Sequence, residues 1–470
     1  MNTRSKLGLL GTLMVLASAA FGAEPAQDTG NRSTGPAADP AVLALLKLRL
    51  SIQRVTLENG LRVVLNVDRA SPTVAVSVTY NIGSKREQKG RSGFAHLFEH
   101  MMFQGSRHVK KGEHFTLITA RGGTLNGTTS EDRTNYFETL PMNELALALW
   151  LESDRMRWLD VTPENFENQR SVVEEEFRMR VENAAYQRAL IRLDELVYEG
   201  YWPYAHPAIG SMQDLQAAKL PWVREFFDTY YVPNNAVLSI AGDFDADQAM
   251  VLIRRYFGAA KARPDLPLYS PGPAPEQSAE RRERMMDQYA KTPGLLYGWR
   301  IPDTRTPEHY ALDLASMVLA DGESSRLYQS LVRKLALARS VSAWTADHPG
   351  PDSLTLMVLC TETGDAVAVE RELRQELERL AATGPRPEEL DKAKNRLRSQ
   401  FIFGVQSNLH RAVRLGEFEA FYGDARLLTL ELSQYLRVSG EEVKKAVVRF
   451  LTVPRTNLVE VRPAAQKAKP

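Results

Sequence analysis

Residues 94–104 read FAHLFEHMMFQ. His96 and His100 are four apart, so on a helix both imidazoles leave one face, a turn apart. Two neutral imidazoles so placed can hold one divalent metal ion. Glu99 lies three residues after His96, on nearly the same face. From there a carboxylate can reach a metal-activated water without being a ligand. Leu97, Phe98, Met101, Met102 and Phe103 are apolar, which predicts a core helix. A core helix with two histidines and a glutamate must satisfy them, through a metal or through a buried His–Glu hydrogen-bond network.

A catalytic metal on two histidines needs a third protein ligand and an open position. Cys360 is the single cysteine, which excludes multi-cysteine clusters and disulfide frameworks and leaves a carboxylate. The richest stretch is 164–182, ENFENQRSVVEEEFRMRVE, with Glu174, Glu175 and Glu176 in a row. Val172, Val173 and Phe177 define an inward face, and Glu176 projects with it, at i+4 and i+3 from the valines. Glu174 and Glu175 read as solvated. Spacing alone favours Glu176 and leaves the other two open.

These groups need a scaffold. The 470 residues suffice for two to four domains, and 43% are hydrophobic, enough for large cores. With 59 basic and 58 acidic side chains the net charge is +1, which argues against nucleic acid as a partner. The start is basic (Arg4, Lys6), then apolar over Leu7–Ala20, with small residues after it. That pattern is a secretory signal peptide over 1–22, predicting a periplasmic or secreted protein. No later run is long enough to span a membrane, so no span is expected in the mature chain. Residues 23–44 read as a flexible leader. A hairpin around Asn59-Gly60, a strand over 73–80, and helices near 91–104, 142–158, 164–199 and 221–231 follow. A strand at 237–241 and a helix at 245–257 complete the first half. The proline-rich stretch around 264–277 reads as a linker.

The second half echoes the first. VREFFDTYYVPNNAVLSI (from Val223) and VKKAVVRFLTVPRTNLVEV (from Val443) are each a helix, a Val-Pro stop, a turn and a strand. Thr162-Pro163-Glu164 and Arg386-Pro387-Glu388 each open a long helix. The expected architecture is α+β: two similar domains of antiparallel-rich sheet and helices, joined by the linker. The boundaries are 45–260 (zinc-binding), 261–284 (linker) and 285–465 (homologous, non-catalytic).

The reversed motif, the lead-in Gly83, Ser84 and Glu87, the HMMFQGS tail and the RSVVEEE helix together resemble the pitrilysin/insulinase clan of zinc metallopeptidases. More narrowly, they resemble bacterial relatives of the mitochondrial processing peptidase β subunit. The resemblance covers about residues 50–462. It implies a zinc endopeptidase with one Zn2+ per chain on His96, His100 and Glu176, and Glu99 as general base. The family places its third ligand 76 residues after the second histidine, the spacing from His100 to Glu176. A supporting glutamate seven residues earlier is Gln169 here, which can hydrogen-bond but brings no charge to the metal-binding histidine. In GGTLNGTTSEDRTNYFETLP (from Gly122), the resemblance implies an edge strand on which the peptide substrate adds as a strand. Asn126, Gly127 and Thr128 would supply the contact backbone, and the alternative is an ordinary polar edge strand.

The chain also departs from the family. Self-sufficient members carry an Arg and, seven residues on, a Tyr in the second half; Val332 and Arg339 stand at those positions. The resemblance therefore implies a heterodimer in which a related zinc-free subunit supplies the Arg/Tyr pair, or else a homodimer. The same fold occurs in inert core subunits, so a non-catalytic scaffold is the alternative to the exported peptidase.

Overall fold

The computed structural model describes residues 50–362 and 364–464, so the expected signal peptide and leader lie outside the described residues. The first sheet has six strands: β1 (Ile52–Thr56), β2 (Arg62–Val67), β3 (Thr73–Tyr80), β4 (Thr124–Thr129), β5 (Thr134–Pro141) and β6 (Ala236–Gly242). Their order is β1-β2-β6-β3-β5-β4. The second has β7 (Arg281–Asp287), β8 (Gly294–Ile301), β9 (Ala338–Thr345), β10 (Asp352–Cys360) and β11 (Asn457–Pro463), in the order β7-β11-β8-β10-β9. Each sheet holds one parallel pair, β2 with β6 and β7 with β11, and is otherwise antiparallel. The two sheets share one strand order, with β1 extra in the first.

The repeat read from the Val-Pro segments is present in three dimensions. The helix Leu220–Tyr230 runs through a turn at Pro233–Asn235 into β6, and Gly440–Phe450 runs through Val453–Arg455 into β11. Both strands enter between a parallel and an antiparallel neighbour. The fold is α+β with two similar halves.

Each half lends a helix to the other. Gln187–Val197, from the first half, packs on β8 and β11; Asn408–Tyr422, from the second, packs on β3 and β6. Leu193, Leu196 and Val197 are buried with Leu296, Val459 and Val461, while Leu415 and Phe418 are buried with Val64 and Val237. Both contacts depend on glycine. A Cβ on Gly298 would stand 2.6 Å from Val197, and one on Gly416 would stand 2.8 Å from Ser239 and Thr79. Spans drawn by chain position (45–260, 285–465) therefore cut through both packing units.

Two element readings change. The helix expected over 164–199 is broken: an α-helix over Pro163–Phe177, a wider π turn over Arg178–Glu182, then a fresh helix from Gln187. Tyr186 sits in left-handed backbone at the break (φ 66°), and Asp287 accepts its N–H at 2.7 Å. The second sheet starts at Arg281, inside the span assigned to the linker. Strand β7 reads RRERMMD, without an apolar run, and is held by its parallel pairing with β11.

Candidate metal centre

The helix carrying the histidines spans Phe94–Met101 and starts after Gly93, whose φ is 89°. Its first turn lacks a side-chain cap at the usual position. The buried Glu87 supplies one instead, accepting the Gly93 and Ala95 N–H groups at 2.8 Å each. His206 Nε2 lies 3.4 Å from the same carboxylate, with its ring stacked on Trp202 at 3.9 Å. Leu97, Phe98 and Met101 pack into the core, fully buried. The helix is thereby fixed in place and in rotation.

The carboxylate comes from the helix Pro163–Phe177, opened by Pro163 and capped by Thr162, whose hydroxyl accepts the Asn165 N–H at 3.1 Å. Val173 is buried but Val172 is exposed, so the inward face is narrower than the sequence suggests. Glu176 still points inward. Its Oε2 lies 3.1 Å from His100 Nε2 and its Oε1 lies 3.8 Å from His96 Nε2. Glu175 pairs at the surface with Arg178 at 3.0 Å, and Glu174 with Arg178 at 3.4 Å.

Ligand atoms of His96, His100 and Glu176 all fall within 4.8 Å of one another. The imidazole rings stand edge to face, 4.9 Å apart. Burial, helped by neighbouring His100, pushes His96 down to about 3, so it is a neutral imidazole with a lone pair to give. Burial raises Glu176, but the His100 hydrogen bond and the nearby His96 and Arg180 groups outweigh it and hold the carboxyl at about 2. Two imidazoles and one ionised carboxylate are the donor set of a catalytic zinc site, so the residues present fit the metal.

Glu99 is half-buried beside this group. Burial pushes its carboxyl up against the opposing pull of the Thr129 hydroxyl. It is not among the clustered donors. Gln169 is buried, but its amide donates to Asn168 at 2.8 Å, and His96 Nδ1 has no hydrogen-bond partner. The expected position is thus occupied by a residue that turns toward a neighbour.

Strand β4 is the free edge of the first sheet and lies against the histidine helix. A Cβ on Gly127 would stand 2.9 Å from Glu99 Cγ. The hairpin closes with Ser130 N–H donating to Arg133 O at 2.9 Å. Bonded and non-bonded pairs alternate along an antiparallel ladder. Asn126 and Thr128 therefore spend their main-chain groups on β5. Gly127, with Leu125 and Thr129, faces the open edge; its C=O points outward, and its N–H donates to Asn126 Oδ1 at 2.9 Å. Local residue type could mark the strand; only the hairpin closure reveals this alternation.

Sequence reasoning missed Arg180, whose Nη1 lies 2.6 Å from Glu176 Oε1. Its signal was the i+4 spacing. A second cluster, His114, Glu138 and Glu152, is buried under the same sheet. Arg155 already pairs with Glu152 there and lies 4.5 Å over the Tyr136 ring. Burial, with the Glu152 charge, pushes the Glu138 carboxyl well up. In the second half Val332 packs against the core and Arg339 is exposed on β9. Arg333 pairs with Glu323 at 2.9 Å.

Residues 62–200 match the family described as Insulinase (Peptidase family M16), and residues 221–397 match the Peptidase M16 inactive domain. The chain is similar to zinc protease PqqE of Helicobacter pylori, 27% identical over 87% of this chain and 93% of that one. It is similar to an uncharacterized zinc protease of Mycobacterium tuberculosis, 29% identical over 92% of this chain and 96% of that one. The crystal structure of a protease from Helicobacter pylori superposes with a TM-score of 0.84 at 27% identity, covering 88% of this chain and 100% of that one.

Proposed function

Because this chain belongs to the insulinase family of peptidases (family M16), we propose that it is an exported zinc-dependent endopeptidase acting on peptides or unfolded polypeptide segments. One observation carries the reading: His96, His100 and Glu176 converge beside Glu99, and Glu99 packs against Gly127 on a free sheet edge. His96, His100 and Glu176 hold one zinc ion. When bound, zinc acidifies water and polarises a peptide carbonyl. The Glu99 carboxylate takes the proton of the attacking water and delivers it to the leaving amine nitrogen. The outward main-chain groups of Leu125 and Thr129, with the Gly127 C=O, align an extended substrate by backbone hydrogen bonds, with little demand on its sequence. The reaction is peptide-bond hydrolysis without a covalent enzyme intermediate.

The signal-peptide pattern of residues 1–22 supports export, and no helix among the described residues is long and apolar enough to cross a membrane. Val332 and Arg339, where an Arg and a Tyr are expected, support a heterodimer with a related zinc-free subunit. A homodimer is the alternative. The same two residues, with the match of the second half to an inactive domain, favour a scaffold subunit as the second reading. Glu99→Gln separates the two. A peptidase loses about 10²–10⁴-fold in kcat while keeping its zinc. Unchanged cleavage by this variant contradicts the assignment of Glu99; no cleavage by the wild type, alone or with its partner, supports the scaffold.

A further inference from the structure

Among the described residues, Arg180 is the arginine whose guanidinium meets the proposed third ligand. We propose that Arg180 is a positioning residue that holds the Glu176 carboxylate in the orientation the metal requires. The inference rests on the zinc reading above. Arg180 lies in the π turn Arg178–Glu182, closed by Asn183 N–H donating to Arg178 O at 2.8 Å. Its Nη1 meets Glu176 Oε1 at 2.6 Å while His100 Nε2 meets Oε2 at 3.1 Å. Arg180 therefore holds Oε1 from outside the ligand set and leaves Oε2, beside His100 Nε2, to face the metal.

Neighbouring Glu175 shows what a solvated pair looks like here. Glu175 is 61% exposed, so its pair with Arg178 is a solvated surface contact of little energetic weight. Glu176 is only 15% exposed. A glutamate has several free torsions, and freezing them at the moment of metal capture costs affinity. A partner that freezes them beforehand removes that cost, as outer-shell partners of metal ligands do. The guanidinium also opposes a nearby divalent cation by charge. Its 39% exposure lets solvent screen that repulsion, whereas the hydrogen bond is short and directional, so orientation wins.

The test uses the full mature chain as wild type, Arg180→Gln and Arg180→Lys. Zinc affinity is measured by chelator competition, and ligand geometry by the absorption spectrum of the cobalt-substituted protein. Arg180→Gln should bind zinc about 10–100-fold more weakly, with a changed cobalt spectrum and an unchanged Tm of the apoprotein. Arg180→Lys, which keeps one donor and the charge, should recover part of the affinity. A zinc Kd within twofold of wild type in Arg180→Gln, or a tighter one, overturns the proposal. So does a raised KM with zinc affinity intact, which would place Arg180 on the substrate. A wild-type chain that binds no zinc would overturn the functional reading itself, an outcome distinct from wild-type binding that Arg180→Gln leaves unchanged.

Discussion

Gly127→Ala probes the closest contact between the proposed substrate strand and the proposed base. The added methyl would stand 2.9 Å from Glu99 Cγ and 3.2 Å from Tyr136 Cδ1. Carbon atoms rest at about 3.5–4.0 Å, so something must retreat by about 0.6–1.1 Å. The Tyr136 ring is fully buried and its hydroxyl donates to Phe98 O at 3.1 Å, which leaves it little room. Gly127 is not among the left-handed glycines, so alanine fits its backbone without strain. Glu99, half-buried and unbranched, is the group that yields. A catalytic group displaced by about 1 Å costs roughly 10²-fold in rate, or about 2.7 kcal/mol of transition-state stabilisation. Zinc content should not change, because the methyl touches none of the three ligands. The assay is hydrolysis of a quenched fluorescent peptide, read as kcat and KM, with zinc measured on the same samples. In a Glu99→Gln background the substitution should cost little more, since both act through one side chain. A kcat within threefold of wild type, or an equal loss in both backgrounds, would refute the reasoning.

The helix exchange predicts that Gly298→Ala, on β8, destabilises the fold by about 1–3 kcal/mol through its 2.6 Å clash with Val197; an unchanged denaturation midpoint would contradict that packing. His348 and Asp132 pair at 3.2 Å between the two halves. Burial lowers the imidazole, but the Asp132 hydrogen bond and the Glu131 and Asp132 charges outweigh it and raise His348 to about 9. A folded pKa above the unfolded one contributes stability that is complete below about pH 6.5 and lost as pH rises through about 9. Linkage bounds the effect at about 3 kcal/mol, so His348→Gln should flatten denaturation midpoints measured from pH 6 to about 9.5. Identical slopes in wild type and variant would exclude this pair as the source.

The parts of the site legible in the sequence were those written locally. Two histidines and a glutamate in five residues declare their own geometry, because a helix converts spacing into direction. Glu176 was harder. Val172, expected on the inward face with Glu176, is exposed, and the buried Val173 is what turns Glu176 toward the histidines. The duplication was legible because each half repeats a helix, a Val-Pro stop and a strand. The exchange of helices was not, since which sheet a helix covers depends on contacts across more than a hundred residues of chain. Strand β7 was hidden because five of its seven residues are charged and its pairing comes from β11, more than 170 residues on. The cap that Glu87 places on the histidine helix was hidden because it reaches from six residues before Gly93 rather than from the adjoining position.

The most direct measurement is the metal content of the purified mature chain by mass spectrometry, beside Glu176→Gln. The account predicts one zinc per chain in the wild type and its loss in the variant. A metal-replete wild type without zinc would contradict the account, and so would a variant that keeps its zinc. The first would leave His96, Glu99 and His100 as a buried polar network; the second would remove Glu176 from the site.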